Sequence, residues 1–365
     1  MNGKTAYKGR LLPDQSGLFS ITCTIISGIS SLIKLVLGIS IPVLATFQCS
    51  CQKLVPTSCN TAERSHGIMM EIMVKNTEPE IGIDDISVFS FDDDSLGRLD
   101  SYQKISGVRN GTITIASRGG RKRIFVCGNM RMTDSEAAII NTADDFEKLY
   151  CALEETRRSY PLMLGMTEAE TGVHNIPAVT LKPMTSEIVL NSIRCDFTGM
   201  PYEGENITDC KVYLINVNAQ CNLADSSFNV RRMINMGMLN MDEVRRFREP
   251  DIIFREIEGK ISEERRETDI RLLCFHNFCQ EESPGSPFTR LVIEGRIQGE
   301  TYYWPVTINR TGSGEGVLNN TRHVIDLTIR RKGSLNPDEE LTIEDCGIMM
   351  EFKAWKEMEE YTARF

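Results

Sequence analysis

Hydrophobic and polar positions alternate with a period of two through most of the chain after residue 66. Ile68, Met70, Ile72 and Val74 share one face of a stretch whose other face carries Glu71 and Lys75. Near the C-terminus, Ile325, Leu327 and Ile329 alternate with Val324, Asp326, Thr328 and Arg330. Ile348, Met350, Phe352 and Ala354 then repeat the pattern against Glu351 and Lys353. Such alternation predicts half-buried strands. Further strands are expected over 83–91, 124–129, 188–197, 210–218, 270–278, 288–298 and 301–309. The run 212–217 is apolar enough for burial on both sides. Asn110-Gly111 and Gly119-Gly120 read as hairpin turns. Thr142 is placed to cap a helix with acids in its first turn and Phe146, Leu149, Tyr150 and Leu153 as its inward stripe. Residues 228–258 read as more helical, with a short helix over Met241–Phe247. The expected architecture is mainly β: antiparallel sandwiches with a few short helices. The chain divides into a leader (1–50), a linker (51–66), an N-terminal domain (67–178) and a C-terminal domain (179–365).

The leader is apolar from Leu18 to Phe47, broken by Lys34. That run is long enough to span a bilayer, and an uncleaved membrane anchor is one reading. The part after Lys34 has the length of a signal-peptide core and ends at Phe47-Gln48-Cys49-Ser50-Cys51. A charge, a short apolar core and a cysteine behind a small residue form a lipoprotein signal. Cys51 is the expected lipid-bearing residue, with Cys49 the alternative; neither has the usual Leu three positions upstream. On this reading translation starts near Ile33-Lys34.

Composition narrows the choice of chemistry. Charged residues make up 25% of the 365 and hydrophobic ones 41%, with a formal net charge of −10. That is globular material without the basic balance of a nucleic-acid binder. The basic group Arg118, Arg121, Lys122 and Arg123 reads as a solvated turn. Twelve cysteines show no tight spacing, and Cys127, Cys195 and Cys274 sit in apolar runs as small hydrophobes. Cys274, His276 and Cys279 are the best metal candidates, yet a strand puts Cys279 on the opposite face and no second cluster completes a tetrahedron. Asp92-Asp93-Asp94 lacks the ligand spacing of a calcium loop. Gly312-Ser313-Gly314 is not a full nucleophile elbow. No cofactor fingerprint and no catalytic constellation emerge, and the chain reads as a non-enzyme.

The order TYYWPVTIN (301–309), NTRHVIDLTIRRKGSLNPD (320–338) and a last strand ending at Trp355 resembles the C-terminal domain of Bacteroidales-type fimbrillins. The resemblance implies two transthyretin-like antiparallel β-sandwich domains. It also implies export as an acylated (palmitate-bearing) lipoprotein to the outer-membrane surface, and assembly into a fimbria with other subunits. Host or bacterial surfaces would be its adhesion targets. In that family the strand at 67–75, carrying Ile68, Met70, Ile72 and Val74, is the one removed on maturation. The next subunit's terminal strand then fills the bared groove. The alternation of Tyr361, Ala363 and Phe365 suits a donor tail. One departure stands out: the loop 76–82 has no Arg or Lys for the Arg-directed cut of well-known shaft subunits. An anchor or minor subunit that keeps its first strand is therefore favoured over a shaft subunit. The chief rival is a monomeric surface lipoprotein that binds a glycan or protein ligand.

Overall fold

Two strands in the first half of the chain are apolar on both faces, and the fold is arranged to cover both. The computed structural model describes residues 68–354, apart from 79, 108–110, 173–175, 224–231, 279–281, 283–284, 309–315, 340 and 342–345, and only the backbone of 346–354. The first half runs through Ile68–Asn76 (β1), Asp85–Asp92 (β2), Leu99–Ser106 (β3), Gly111–Ser117 (β4), Arg121–Gly128 (β5), Tyr150–Ala152 (β6), Met163–Glu170 (β7) and Ala178–Pro183 (β8). All but β6 form one sheet in the order β3-β2-β5-β7-β8-β1-β4. In β2, Ile86 and Val88 face one core while Phe89 and Phe91 face another. In β5, Ile124 and Val126 face the first and Phe125 and Cys127 the second. Strand β8 belongs to this sheet, so the sheet reaches past the boundary expected at 178.

Neither expected hairpin forms. Strand β3 pairs with β2, and β4 pairs with β1, so β3 and β4 are opposite margins of the sheet. Strand β5 pairs with β2 and β7. The turn chemistry is nevertheless present: Gly111 and Gly120 have φ of 138° and 118°, which glycine alone adopts cheaply. Pairing is decided by burial. Ile113 and Ile115 of β4 stand in register with Ile72 and Met70 of β1, and all four enclose one core.

The remaining strands are Thr185–Cys195 (β9), Thr208–Ile215 (β10), Val217–Asn218 (β11), Gln220–Asn222 (β12), Met233–Ile234 (β13), Phe254–Glu256 (β14), Arg266–Phe275 (β15), Asn277–Phe278 (β16), Arg290–Ile297 (β17), Glu300–Thr307 (β18), Gly316–Val317 (β19), Thr321–Ile329 (β20) and Cys346–Ala354 (β21). Two four-stranded sheets, β14-β10-β17-β18 and β15-β9-β20-β21, dominate. Leu190, Leu272 and Leu327 from one share a core with Val212, Ile293 and Trp304 from the other, as in sheet-on-sheet packing. The pairings are mostly antiparallel, but β1–β8 and β20–β9 run parallel. The alternation read at 324–330 holds, with Ile325, Leu327 and Ile329 buried. Residues 212–217 are buried on both sides, as expected, although Asn216, with φ of 55°, separates β10 from β11.

Among the described residues, α-helix is limited to Asp134–Ala137 (α1), Ala143–Glu147 (α2) and Met241–Val244 (α3). Thr142 caps α2 in a reciprocal capping box with Asp145, which satisfies otherwise unpaired N–H groups. The helix ends at Glu147, however, so the expected stripe does not lie on one helix. Phe146 is inside α2, Tyr150 lies in β6 and Leu153 in a 3-10 turn over Leu153–Glu155. The chain leaves the helix because β6 pairs with β12, drawing the segment onto the second half. Phe146 meets Phe125, Phe89 and Phe91 at centroid distances of 4.6, 4.9 and 5.9 Å, geometries favourable for aromatic packing. The region expected to be helical around 228–258 holds, among its described residues, only α3 and a 3-10 turn, Pro250–Ile252, as helix, beside the short strands β13 and β14.

The run Arg118–Arg123 is not a solvated turn throughout. Lys122 has no exposed surface. It stands directly opposite Asp92 across β2 and β5 and pairs with it and with Asp100 of β3, at 3.1 Å. Asp100 also accepts from Ser117 Oγ at 2.7 Å and Arg118 N–H at 2.9 Å, at the end of β4. One buried cation thus ties β2, β3, β4 and β5 and fastens the two sheet margins together. Burial alone would raise the Asp100 pKa, but hydrogen bonds from Arg118, Ser117 and Lys122 outweigh it and hold it at about 2. Its contribution to stability is therefore present above its ordinary value of 3.8 and lost as pH falls through about 2. Asp100→Asn should cost about 3 kcal/mol at neutral pH. It should also remove part of the acid-induced loss between those two pH values. Urea unfolding at a series of pH values measures both.

Candidate functional site

Strand β1 is the central feature of the site. It lies one strand in from the sheet margin, antiparallel to β4 from Ile68↔Ser117 to Val74↔Gly111 and parallel to β8 from Met73↔Ala178 to Asn76↔Leu181. Met73 N–H donates to Pro177 O at 2.9 Å. Met70, Ile72 and Val74 are buried, whereas Ile68 and Met69 at the strand's start are exposed. Of the four residues expected on the inward face, three therefore fill the core and Ile68 lies beyond its rim. Their partners are Ile81, Ile83, Ile113, Ile115, Val179 and Leu181. Taking β1 away would leave a slot between β8 and β4, open along its length and floored by apolar side chains.

Strand β8 forms one wall of that slot and was not among the expected strands. Its signal is present: Val179, Leu181 and Pro183 are buried while Ala178, Thr180 and Lys182 are exposed. Gly165 of β7 is the contact point behind it. A Cβ there would come within 2.6 Å of the Thr180 carbonyl, so only glycine lets the two strands approach so closely.

The loop after β1 is held down. Asn76 Nδ2 donates to Ile81 O at 3.0 Å, Thr77 Oγ1 to Leu181 O at 3.1 Å, and Gly82 N–H to Ser159 O at 2.9 Å. Asn129 adds a clamp, its Nδ2 donating to Gly82 O and Pro161 O, both at 2.9 Å. The Tyr160 ring lies where a side chain at Gly82 would be, and the Arg157 guanidinium sits 4.6 Å above that ring. Ile81 and Ile83 are buried. A protease needs an extended, accessible segment, and this one is docked.

At the other end of the chain, β21 is the margin of its sheet, paired with β20 from Thr321↔Ala354 to Ile329↔Cys346. Tyr361, Ala363 and Phe365 follow it, and they, Cys49 and Cys51 lie outside the described residues.

Of the other candidates, Cys279 and Gly312-Ser313-Gly314 lie outside the described residues, and the rest are absorbed by structure. Asp93 pairs with Arg121 at 3.1 Å, and Asp94 Oδ1 accepts from the N–H groups of Leu96 and Gly97 at 2.9 and 2.8 Å. With Asp92 on Lys122, the acidic run serves as a turn and ion-pair device. Cys274 is fully buried, and His276 Nδ1 lies 3.9 Å from the Cys221 sulfur. Among the described residues no group of three His, Cys, Asp or Glu side chains is placed to hold a metal ion. Cys127, Cys151, Cys195, Cys210, Cys221 and Cys274 are free thiols. Burial pushes Cys151, Cys221 and Cys274 up to about 12, so they remain protonated and inert. Trp304 is buried and its indole donates to Arg331 O at 2.9 Å, so its ring is not available to stack on a sugar.

No family model and no curated protein matches the chain. Solved structures do. A protein from Bacteroides eggerthii DSM 20697, described as a cell adhesion protein, is 14% identical with a TM-score of 0.61, over 81% of this chain and 98% of its own. A similarly described protein from Parabacteroides distasonis ATCC 8503 is 13% identical with a TM-score of 0.59, over 81% and 99%. A fimbrilin from Porphyromonas gingivalis W83 is 12% identical with a TM-score of 0.57, over 79% and 97%. At such identities the likeness is one of fold. The resemblance first drawn from C-terminal motifs thus extends, as a fold, over about four fifths of the chain.

If β1 fills the slot as described, Ile72→Ala should cost about 2–5 kcal/mol. The neighbouring outward change Met73→Ala should stay within about 0.5 kcal/mol. Denaturant unfolding of the two variants gives the contrast; equal costs would mean that β1 is not seated on this face.

Proposed function

We propose that this chain is a structural subunit of a cell-surface fimbria, exported as an outer-membrane lipoprotein through Cys51 and joined to other subunits by β-strand addition. The observation that carries the reading is the place of β1. It is an inner strand, paired on both sides, and in the chain it comes before every other described strand. Strand addition draws affinity from backbone hydrogen bonds and register from alternate side chains. The slot offers both, through β8 and β4 and through the positions now held by Met70, Ile72 and Val74. The likeness of fold to a fimbrilin and to proteins described as cell adhesion proteins supports the same reading.

Within that role the chain suits an anchor or minor position. Residues 76–82 contain no arginine or lysine, and they are tied to Leu181 through Thr77 Oγ1 and to Ser159 and Asn129 through the Gly82 backbone. A subunit that keeps β1 has no open slot to accept a neighbour's strand. It can still give its own tail, with Tyr361, Ala363 and Phe365 as the inserting side chains, while the lipid at Cys51 holds it on the membrane. Each buried CH₂ of such a lipid is worth about 0.8 kcal/mol.

Two measurements check this. Deleting residues 357–365 should leave the folded domain intact and abolish incorporation into fimbriae; normal incorporation of the truncated chain would remove the donor role. Mass spectrometry of surface-extracted protein should find an acylated cysteine at the N-terminus. A mature chain that begins past residue 76 would instead make this a shaft subunit.

A further inference from the structure

The segment around α3 plays no part in the slot, yet it is built to a pattern. Met236, Met238 and Met241 line one cleft of about 610 Å³, together with Asn240, Asp242 and Glu243. Met236 and Met238 are each 63% exposed, and Met241 is half-buried at the start of α3. Three methionines thus line one opening, and Met241 also packs against the core.

The backbone beneath them is fixed. Asn235 and Gly237 adopt left-handed conformations on either side of Met236, with φ of 51° and 71°. Gly237 N–H donates to the buried Asn216 Oδ1 at 2.8 Å. The buried Asn235 donates through Nδ2 to Leu214 O at 2.9 Å and accepts from Asn240 N–H at 2.9 Å. The buried Asn216 and Asn235 thus fix the backbone on either side of Met236.

The oxygens of the cleft have other work. Asn240 Oδ1 caps α3, accepting from the N–H groups of Asp242 and Glu243 at 3.1 and 3.4 Å. Glu243 Oε2 accepts from Asn235 N–H at 2.8 Å, and Asp242 pairs with Arg245 at 3.0 Å. A hard cation needs several oxygen ligands, and Asn240 Oδ1, Glu243 Oε2 and Asp242 Oδ1 already accept from the protein's own donors. Sulfur is the donor that the cleft offers. Thioethers are soft, carry no proton to displace and select soft ions. We propose that Met236, Met238 and Met241 form a binding site for a soft monovalent metal ion of the copper(I) or silver(I) class, held by their three sulfurs. The proposal is independent of the fimbrial role.

Silver(I) is the probe, because it needs no reductant. The full chain is labelled with [¹³C-methyl]methionine, its accessible thiols are blocked with iodoacetamide, and silver nitrate is titrated in by NMR. The methyl resonances that vanish in Met236→Leu, Met238→Leu and Met241→Leu identify the three residues. They should shift together and saturate at a single equivalent, while the other methionine methyls stay in place and report an intact fold. Met238→Leu should abolish the shift of the remaining two. Leucine keeps the apolar surface but cannot ligate, so a face that is only greasy would be insensitive to this change. Shifts confined to other methionines, no shifts at all, or an unaltered response in Met238→Leu would overturn the assignment.

Discussion

Strands β2 and β5 are apolar on both faces, and the rest of the molecule answers that constraint. Phe89, Phe91, Phe125 and Cys127 are covered by α2 and by the core shared with the second half of the chain. Ile86, Val88, Ile124 and Val126 need a second cover, made by β1, β4 and β8. Burial of this kind is the main favourable contribution to folding. A gap in the second cover would expose a continuous apolar face of the sort that marks a binding surface. Strand β1 closes that gap, and among the described strands it is followed in sequence by β2.

Two devices keep the cover in place. Lys122, buried among Asp92 and Asp100, fastens the two margins of the sheet, so that β4 is held close while β1 lies against it. The clamp of Asn129 and Tyr160 on residues 76–84 seals the exit from β1. A buried ion pair is costly to break by losing one partner. The end of β4 is therefore tied to β3 by contacts that do not pass through β1. Firm walls and a separable filling strand are what exchange of one peptide for another requires.

Much of this was legible in the chain. The alternation at Met70, Ile72 and Val74, at Ile325, Leu327 and Ile329, and the two-sided burial of 212–217 followed from local pattern, because a half-buried strand writes its face into every second residue. The cap at Thr142 was legible for the same local reason. The order of strands was not. Gly111 and Gly120 carry true turn conformations, yet pairing went to distant strands because Ile113 and Ile115 found their cover on β1. Lys122 sits in a basic run that reads as solvated; only the register of β2 on β5 brings Asp92 opposite it. Strand β8 escaped notice because it is six residues long and lies beside an expected domain boundary. The methionines at 236, 238 and 241 were hidden inside a stretch that looked helical.

The central claim is that the slot between β8 and β4 takes a peptide strand, and that β1 blocks it while it remains in place. A folded chain carrying an engineered protease site between Thr77 and Gly82 can be cut and offered a fluorescent peptide copying residues 346–365, alongside the uncut chain. The account predicts that the peptide binds the cut chain as β1 departs, with long residence, and leaves the uncut chain untouched. Equal binding to both, or a cut chain that releases β1 and takes up no peptide, would contradict it.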